Sequence, residues 1–173
     1  MTPEMQLATE RTTSSPAATR RLAAALALVA VPGDVVCLWG ELGAGKTVFA
    51  KGFGRGLGVI GTINSPTFIL MAEHEGRLPL FHLDLYRIAD AVDAVAGGLL
   101  DDRQAMGVTL IEWPERFGTA LPAARLDVRI DGTGDAIRRI RIEAGDARLT
   151  RYVAAAGVAD LDPRGLDEPV PAR

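Results

Sequence analysis

The chain has one cysteine, Cys37, only two lysines, and no surplus of positive charge, its formal net charge being −3. A single cysteine excludes an internal disulfide framework, and no Cys/His cluster has zinc spacing. The negative balance makes the chain a poor candidate for gripping nucleic acid alone, since that requires a basic face that displaces counterions. Long apolar runs are also missing. The longest, Leu22 to Pro32, is about 11 residues, whereas a bilayer span takes roughly 20. Glu4, Glu10 and Arg11 precede any apolar stretch, which does not fit a secretory leader. The expectation is a cytoplasmic protein with no membrane contact.

What remains is a chain of 173 residues, 48% hydrophobic and 24% charged, with a mean hydropathy of +0.15. That is enough for one domain with a sizeable core, and it excludes wholesale disorder. The domain is expected over residues 15–150, with a loose arm at 1–14 and a disordered tail at 157–173. Ser15-Pro16 reads as an N-cap and first-turn proline, followed by helical spacing at Leu22, Leu26 and Val29. Val35 to Trp39 is a continuous apolar run of strand length, suggesting burial on both faces. A helix is expected from Val48 to about Leu57, weakened by Gly52, Gly54 and Gly56. Strands are expected at Thr67–Ala72 and Leu78–Leu83, with a turn at His74–Arg77 between them. A helix over 89–100 and a buried strand at Val108–Ile111 follow. Leu126, Val128 and Ile130 alternate, as do Ile140 and Ile142, and a broken period near Arg138-Arg139 predicts a bulge. Alternating helices and strands followed by hairpins imply an α/β sandwich with a mixed sheet.

Gly40-Glu41-Leu42-Gly43-Ala44-Gly45-Lys46-Thr47 satisfies the pattern G-x-x-x-x-G-K-[ST], the phosphate-binding P-loop. Its glycines let consecutive backbone N–H groups converge on phosphate oxygens, and the following helix adds its positive N-terminal end. Lys46, one of only two lysines, can span the outer phosphates. The Thr47 hydroxyl can coordinate a Mg²⁺ bridging the same oxygens. The bland alternative, a glycine-rich turn with a surface lysine, explains neither the entering strand nor the leaving helix.

Such a loop needs an acid at the end of a neighbouring strand. Glu112 ends the run Val108–Ile111, and Asp84 follows Leu80–Leu83. Strand character assigns Glu112 to metal and Asp84 to the water or γ-phosphate side, although position alone leaves the reverse open. Ser65-Pro66-Thr67 either stands where switch-type NTPases place a threonine that senses γ-phosphate and Mg²⁺ or is a plain turn at the start of a strand, and the sequence alone leaves both open. Arg87 is either a charge stabiliser or a structural ion-pair partner. His82 is read as a strand residue bonded to Asp84 or to backbone, and Cys37 as core. The sole asparagine, Asn64, precedes Ser65, so no guanine-reading N-K-x-D motif exists and ATP is the expected nucleotide.

The P-loop followed by Ser65-Pro66-Thr67-Phe68, His82-Leu83-Asp84-Leu85-Tyr86-Arg87 and Glu112-Trp113-Pro114 resembles the TsaE family of bacterial P-loop ATPases over about residues 15–145. The resemblance implies a P-loop NTPase-like three-layer sandwich. It implies an ATPase, using ATP and Mg²⁺, required for threonylcarbamoyl modification of an adenosine in tRNA. That ATPase acts on a complex of TsaD-like and TsaB-like proteins and meets tRNA only through the complex. Carried over by residue, the metal ligands fall on Thr47 and Glu112 and the essential acid on Asp84. The switch-like threonine falls on Thr67, and a tryptophan beside the nucleotide on Trp113. Only the resemblance suggests that the segment around Ser14–Thr19 closes over the base. Two other readings compete. A small-molecule kinase would need an arginine-bearing lid, yet residues 88–107 hold only Arg103 as a basic residue. A non-enzymatic assembly module would bind ATP without turnover.

Overall fold

The computed structural model describes residues 7–65, 70–89 and 101–161. Seven strands form one mixed sheet: β1 (Ala8–Thr13), β2 (Val35–Trp39), β3 (Met71–His74), β4 (Leu80–Asp84), β5 (Val108–Glu112), β6 (Leu126–Asp131) and β7 (Arg138–Ala144). Their spatial order is β1-β7-β6-β2-β5-β4-β3. The four strands β6, β2, β5 and β4 are mutually parallel, and the outer pairings are antiparallel. Among the described residues three helices accompany them: α1 (Pro16–Ala27), α2 (Lys46–Gly56) and α3 (Thr150–Val158). Among the described residues no helix is long and apolar enough to cross a membrane.

The strand chemistry explains this order. In β4 and β5 nearly every residue is buried, as central parallel strands covered on both faces require. In β6 and β7 buried Leu126, Val128, Ile130, Ile140 and Ile142 alternate with outward-facing charges, the pattern of strands with one solvated face. Two cores result. Leu38, Val36, Leu80, Leu110 and Val128 pack against Leu22, Leu26, Phe49 and Phe53 of α1 and α2. On the opposite face Cys37, Phe81, Leu83 and Ile111 pack with Phe117 of a short 3-10 segment, Pro114–Ala120. Burial in that second core pushes the Cys37 thiol well above its ordinary pKa, so it packs as a small apolar group.

The glycines of α2 have a packing role. A Cβ at Gly52 would stand 2.3 Å from the Arg20 carbonyl oxygen, and one at Gly56 would stand 2.5 Å from that of Ala24. Their helix penalty of up to ~1 kcal/mol each is offset by close approach of α2 to α1. Ser15 caps α1 as expected, its hydroxyl accepting from the Ala18 N–H at 3.1 Å.

Three expectations are corrected. The loose arm at 1–14 is, over Ala8–Thr13, strand β1 paired antiparallel with β7. The tail expected from 157 begins too early, because α3 runs to Val158 and buries Tyr152, Val153 and Ala156. These two segments hold each other: the Arg11 guanidinium on β1 donates to the carbonyls of Ala156 and, at 2.8 Å, Ala159 at the end of α3. The Tyr152 hydroxyl adds a 2.6 Å bond to Asp34. Finally, no bulge interrupts β7. Its register with β6 is continuous from Arg139 to Ala144, and Ile137 lies outside the strand, exposed. The helix expected over 89–100 falls almost wholly outside the described residues, as does the tail from residue 162.

Candidate functional site

Parallel pairing brings the C-terminal ends of β2, β4, β5 and β6 to one sheet edge, where ligands of open α/β sheets bind. Trp39 leads into the P-loop there, and Asp84 and Glu112 are register partners on adjoining strands. The P-loop turns through Gly40 (φ 153°), Gly43 (φ 81°) and Gly45 (φ 107°) before α2 begins at Lys46. Position 40 is doubly constrained, because a Cβ there would meet the Ile130 carbonyl oxygen at 2.6 Å. Position 45 is left-handed at the start of α2, where glycine adopts φ > 0 without steric cost. The residue sequence thus aims the first N–H groups of α2 into a cleft of about 860 Å³.

Lys46, only 5% exposed, donates to the carbonyls of Gly40 and Glu41, the latter at 2.8 Å. Its ammonium stands 3.9 Å from the centroid of the Trp113 ring, a cation–π contact. Burial pulls the Lys46 pKa below the ordinary lysine value, and the nearby carboxylates of Glu112, Glu115 and Asp84 push it back upward. The ammonium is therefore a desolvated positive centre among acids, suited to pair with added negative charge.

Glu112 is buried, and its Oε2 lies 3.3 Å from the Thr47 hydroxyl. Asp84 sits one strand farther out. It accepts from the Ser65 hydroxyl and, at 3.0 Å, from the Tyr86 N–H. Glu112, then, faces the P-loop hydroxyl, whereas Asp84 faces the loop that leads to residue 66. Thr67 and its neighbours Pro66 and Phe68 lie outside the described residues. Leu42, Gly43, Tyr86, Arg87 and Trp113 line the same cleft. Trp113 holds left-handed backbone angles (φ 60°, ψ 50°), uncommon for a bulky residue. The conformation turns the chain sharply after Glu112 and sets the indole against Tyr86, centroids 5.0 Å apart. Trp39 belongs to packing: its indole N–H donates to Asp127 at 2.7 Å.

Two features were not legible in the sequence. His82 bonds neither Asp84 nor backbone. Its Nε2 lies 2.8 Å from Glu112 Oε1. Residues 82 and 112 are thirty apart, and only the β4–β5 register makes them diagonal neighbours on one face. Arg138, named from the sequence only for a broken strand period, reaches back to the P-loop and donates to the Ala44 carbonyl at 2.9 Å. It also lines a second hollow of about 300 Å³ behind that loop, with Ser15, Pro16, Thr19, Val48 and Gly134. A helical-period or alternation pattern carries no trace of either contact.

This arrangement was compared with known proteins. A family model described as threonylcarbamoyl adenosine biosynthesis protein TsaE matches residues 13–140. The chain belongs to the TsaE family. The TsaE protein of Bacillus subtilis is 43% identical over 133 residues, covering 76% of this chain and 83% of that protein. That of Treponema pallidum is 42% identical over 110 residues, covering 64% and 82%. A crystal structure of Bacillus subtilis YdiB superposes with a TM-score of 0.71 at 35% identity, covering 87% of this chain and 94% of that one. The family's place is tRNA threonylcarbamoyladenosine biosynthesis, and its fold is the P-loop NTPase-like α/β sandwich expected from the resemblance. The TsaE match begins at Thr13 and ends at Ile140, so it takes in the P-loop, both acids, Trp113 and Arg138.

Proposed function

We propose that this TsaE-family chain is a cytoplasmic, Mg²⁺-dependent ATPase that drives the TsaD–TsaB complex in tRNA threonylcarbamoylation. The observation that carries the reading is the convergence of the P-loop, Lys46 and two strand-end carboxylates on one cleft. The α2 N-terminal amides and Lys46 bind the phosphate chain. As the ammonium turns from the loop carbonyls to phosphate oxygens it exchanges neutral acceptors for charged ones, turning hydrogen bonds into ion pairs. The hollow beside Ser15 and Arg138 has room for the adenine base.

The donors fit Mg²⁺, a hard cation that prefers oxygen and keeps several waters. Thr47 supplies a hydroxyl and Glu112 a carboxylate, with no cluster of three or more His, Cys, Asp or Glu among the described residues. Bound there, the ion would neutralise charge on the outer phosphates. Asp84, held by Ser65 and the Tyr86 amide, orients an attacking water from the γ-phosphate side. Trp113 walls the cleft and excludes bulk water.

The deciding experiment is a tRNA-modification assay with TsaD, TsaB and tRNA, run with the chain present, absent and carrying Lys46→Ala. Modification should need the parent chain and fail with the variant. Equal modification in all three arms would overturn the reading, and phosphate transfer to an added small acceptor would point to a kinase.

A further inference from the structure

We infer that His82 is a positioning residue: through its Nε2–H it fixes the Glu112 carboxylate in front of Thr47. The inference rests on the nucleotide reading above. His82 sits mid-strand in β4, fully buried, on the sheet face that also carries Asp84, Leu80, Leu110 and Glu112. With a carboxylate as partner, Nε2 carries the proton and donates to Glu112 Oε1 at 2.8 Å. The other ring nitrogen, Nδ1, is buried with no hydrogen-bond partner among the described residues. An unsatisfied buried polar atom is costly, and a leucine would avoid that cost. The imidazole therefore has one polar contact to justify its place, and that contact is Glu112.

The contact has a geometric consequence. Glu112 is itself buried, and it has two oxygens and free side-chain torsions. Anchoring Oε1 from β4 holds the whole carboxylate at the Thr47 hydroxyl, with Oε2 3.3 Å and Oε1 3.4 Å away. Partners of this kind, behind a metal-ligating group, typically change metal affinity by about 10–100-fold.

Two substitutions separate the bond from the bulk of the ring. In His82→Gln the amide nitrogen reaches the position of Nε2, whereas in His82→Asn it reaches only that of Nδ1. Each variant is titrated with a fluorescent ATP analogue in excess magnesium and again in EDTA, with thermal melting alongside. The parent and the Gln variant should bind more tightly in magnesium than in EDTA. The Asn variant should lose about tenfold of that magnesium response while its EDTA affinity stays at the parent's. A full magnesium response in the Asn variant, or equal losses in both, would overturn the inference. If the Asn variant does not melt cooperatively, His82→Leu replaces it with the same expectation. A parent chain that binds no nucleotide in either buffer overturns the nucleotide reading itself, and the positioning role with it.

Discussion

The parallel and antiparallel halves of the sheet treat polar side chains in opposite ways. In the parallel half His82, Thr109, Glu112 and Lys46 are all buried, in or beside strands that are otherwise apolar. In the antiparallel half Arg129, Arg141 and Glu143 stand on the solvated face and pair there, Arg129 to Glu143 across strands at 3.2 Å and Arg141 to Glu143 along β7 at 3.1 Å. Burying charge is costly unless it is paired or used, so the buried set marks where the chemistry is, and the exposed set stabilises pairing and little else. A residue's chemistry alone does not separate the groups, since both contain cations and carboxylates.

The sharpest way to break this comparison is Lys46→Ala. Removing a desolvated cation from a phosphate site typically costs 2–5 kcal/mol, so ATP affinity should fall by about 30-fold or more. Isothermal titration calorimetry reads it, and parental affinity in the variant would remove Lys46 from the site. Glu112→Gln comes next. It keeps shape but replaces a charged oxygen donor by a neutral one, and about a tenfold loss of the magnesium-dependent part of binding is expected. The same titration in EDTA should be unchanged, and an equal loss there would assign Glu112 to the fold rather than to metal.

Arg138 tests the boundary between the halves. It belongs to an antiparallel strand but serves the P-loop through the Ala44 carbonyl and the hairpin through Gly134, 2.7 Å away. Losing hydrogen bonds of about 1 kcal/mol each should weaken ATP binding roughly fivefold in Arg138→Ala, with a small change in melting temperature. If binding is untouched, the hairpin is a spectator and the two halves are functionally separate.

The same contrast explains what could be read from the sequence. β2 and β5 declare themselves as continuous apolar runs, and the P-loop is local, all its determinants lying within eight residues. By contrast β1, Ala-Thr-Glu-Arg-Thr-Thr, has no apolar alternation. It is a strand because β7 offers an unpaired edge and α3 offers carbonyls to Arg11. The helix α3, for which the sequence reading offers only a tail from 157, is held for the reciprocal reason. Within the site, Lys46 and Thr47 followed from a local pattern, and the acids from strand ends. The Glu112 partner His82 and the Arg138 brace depend on register between distant segments, information that periodicity does not hold.

The smallest effect is expected at Glu143, and it is directional in pH. Hydrogen bonds from Arg141 and then Arg129 outweigh desolvation and hold its carboxyl below the ordinary value of 4.5. A depressed carboxyl pKa stabilises the folded chain above the unfolded value and loses that contribution as pH falls through the folded one. Thermal melting from pH 7 to pH 3 should therefore show Glu143→Gln losing under about 1 kcal/mol at neutral pH. The deficit should shrink below pH 4.5, where the parent carboxyl takes up its proton, and high salt should shrink it as well. ATP affinity should be that of the parent. A deficit that grows on acidification would reverse the sign assigned to this cluster, while a change in nucleotide binding would mean that the solvated face reaches the site, erasing the division between the two halves.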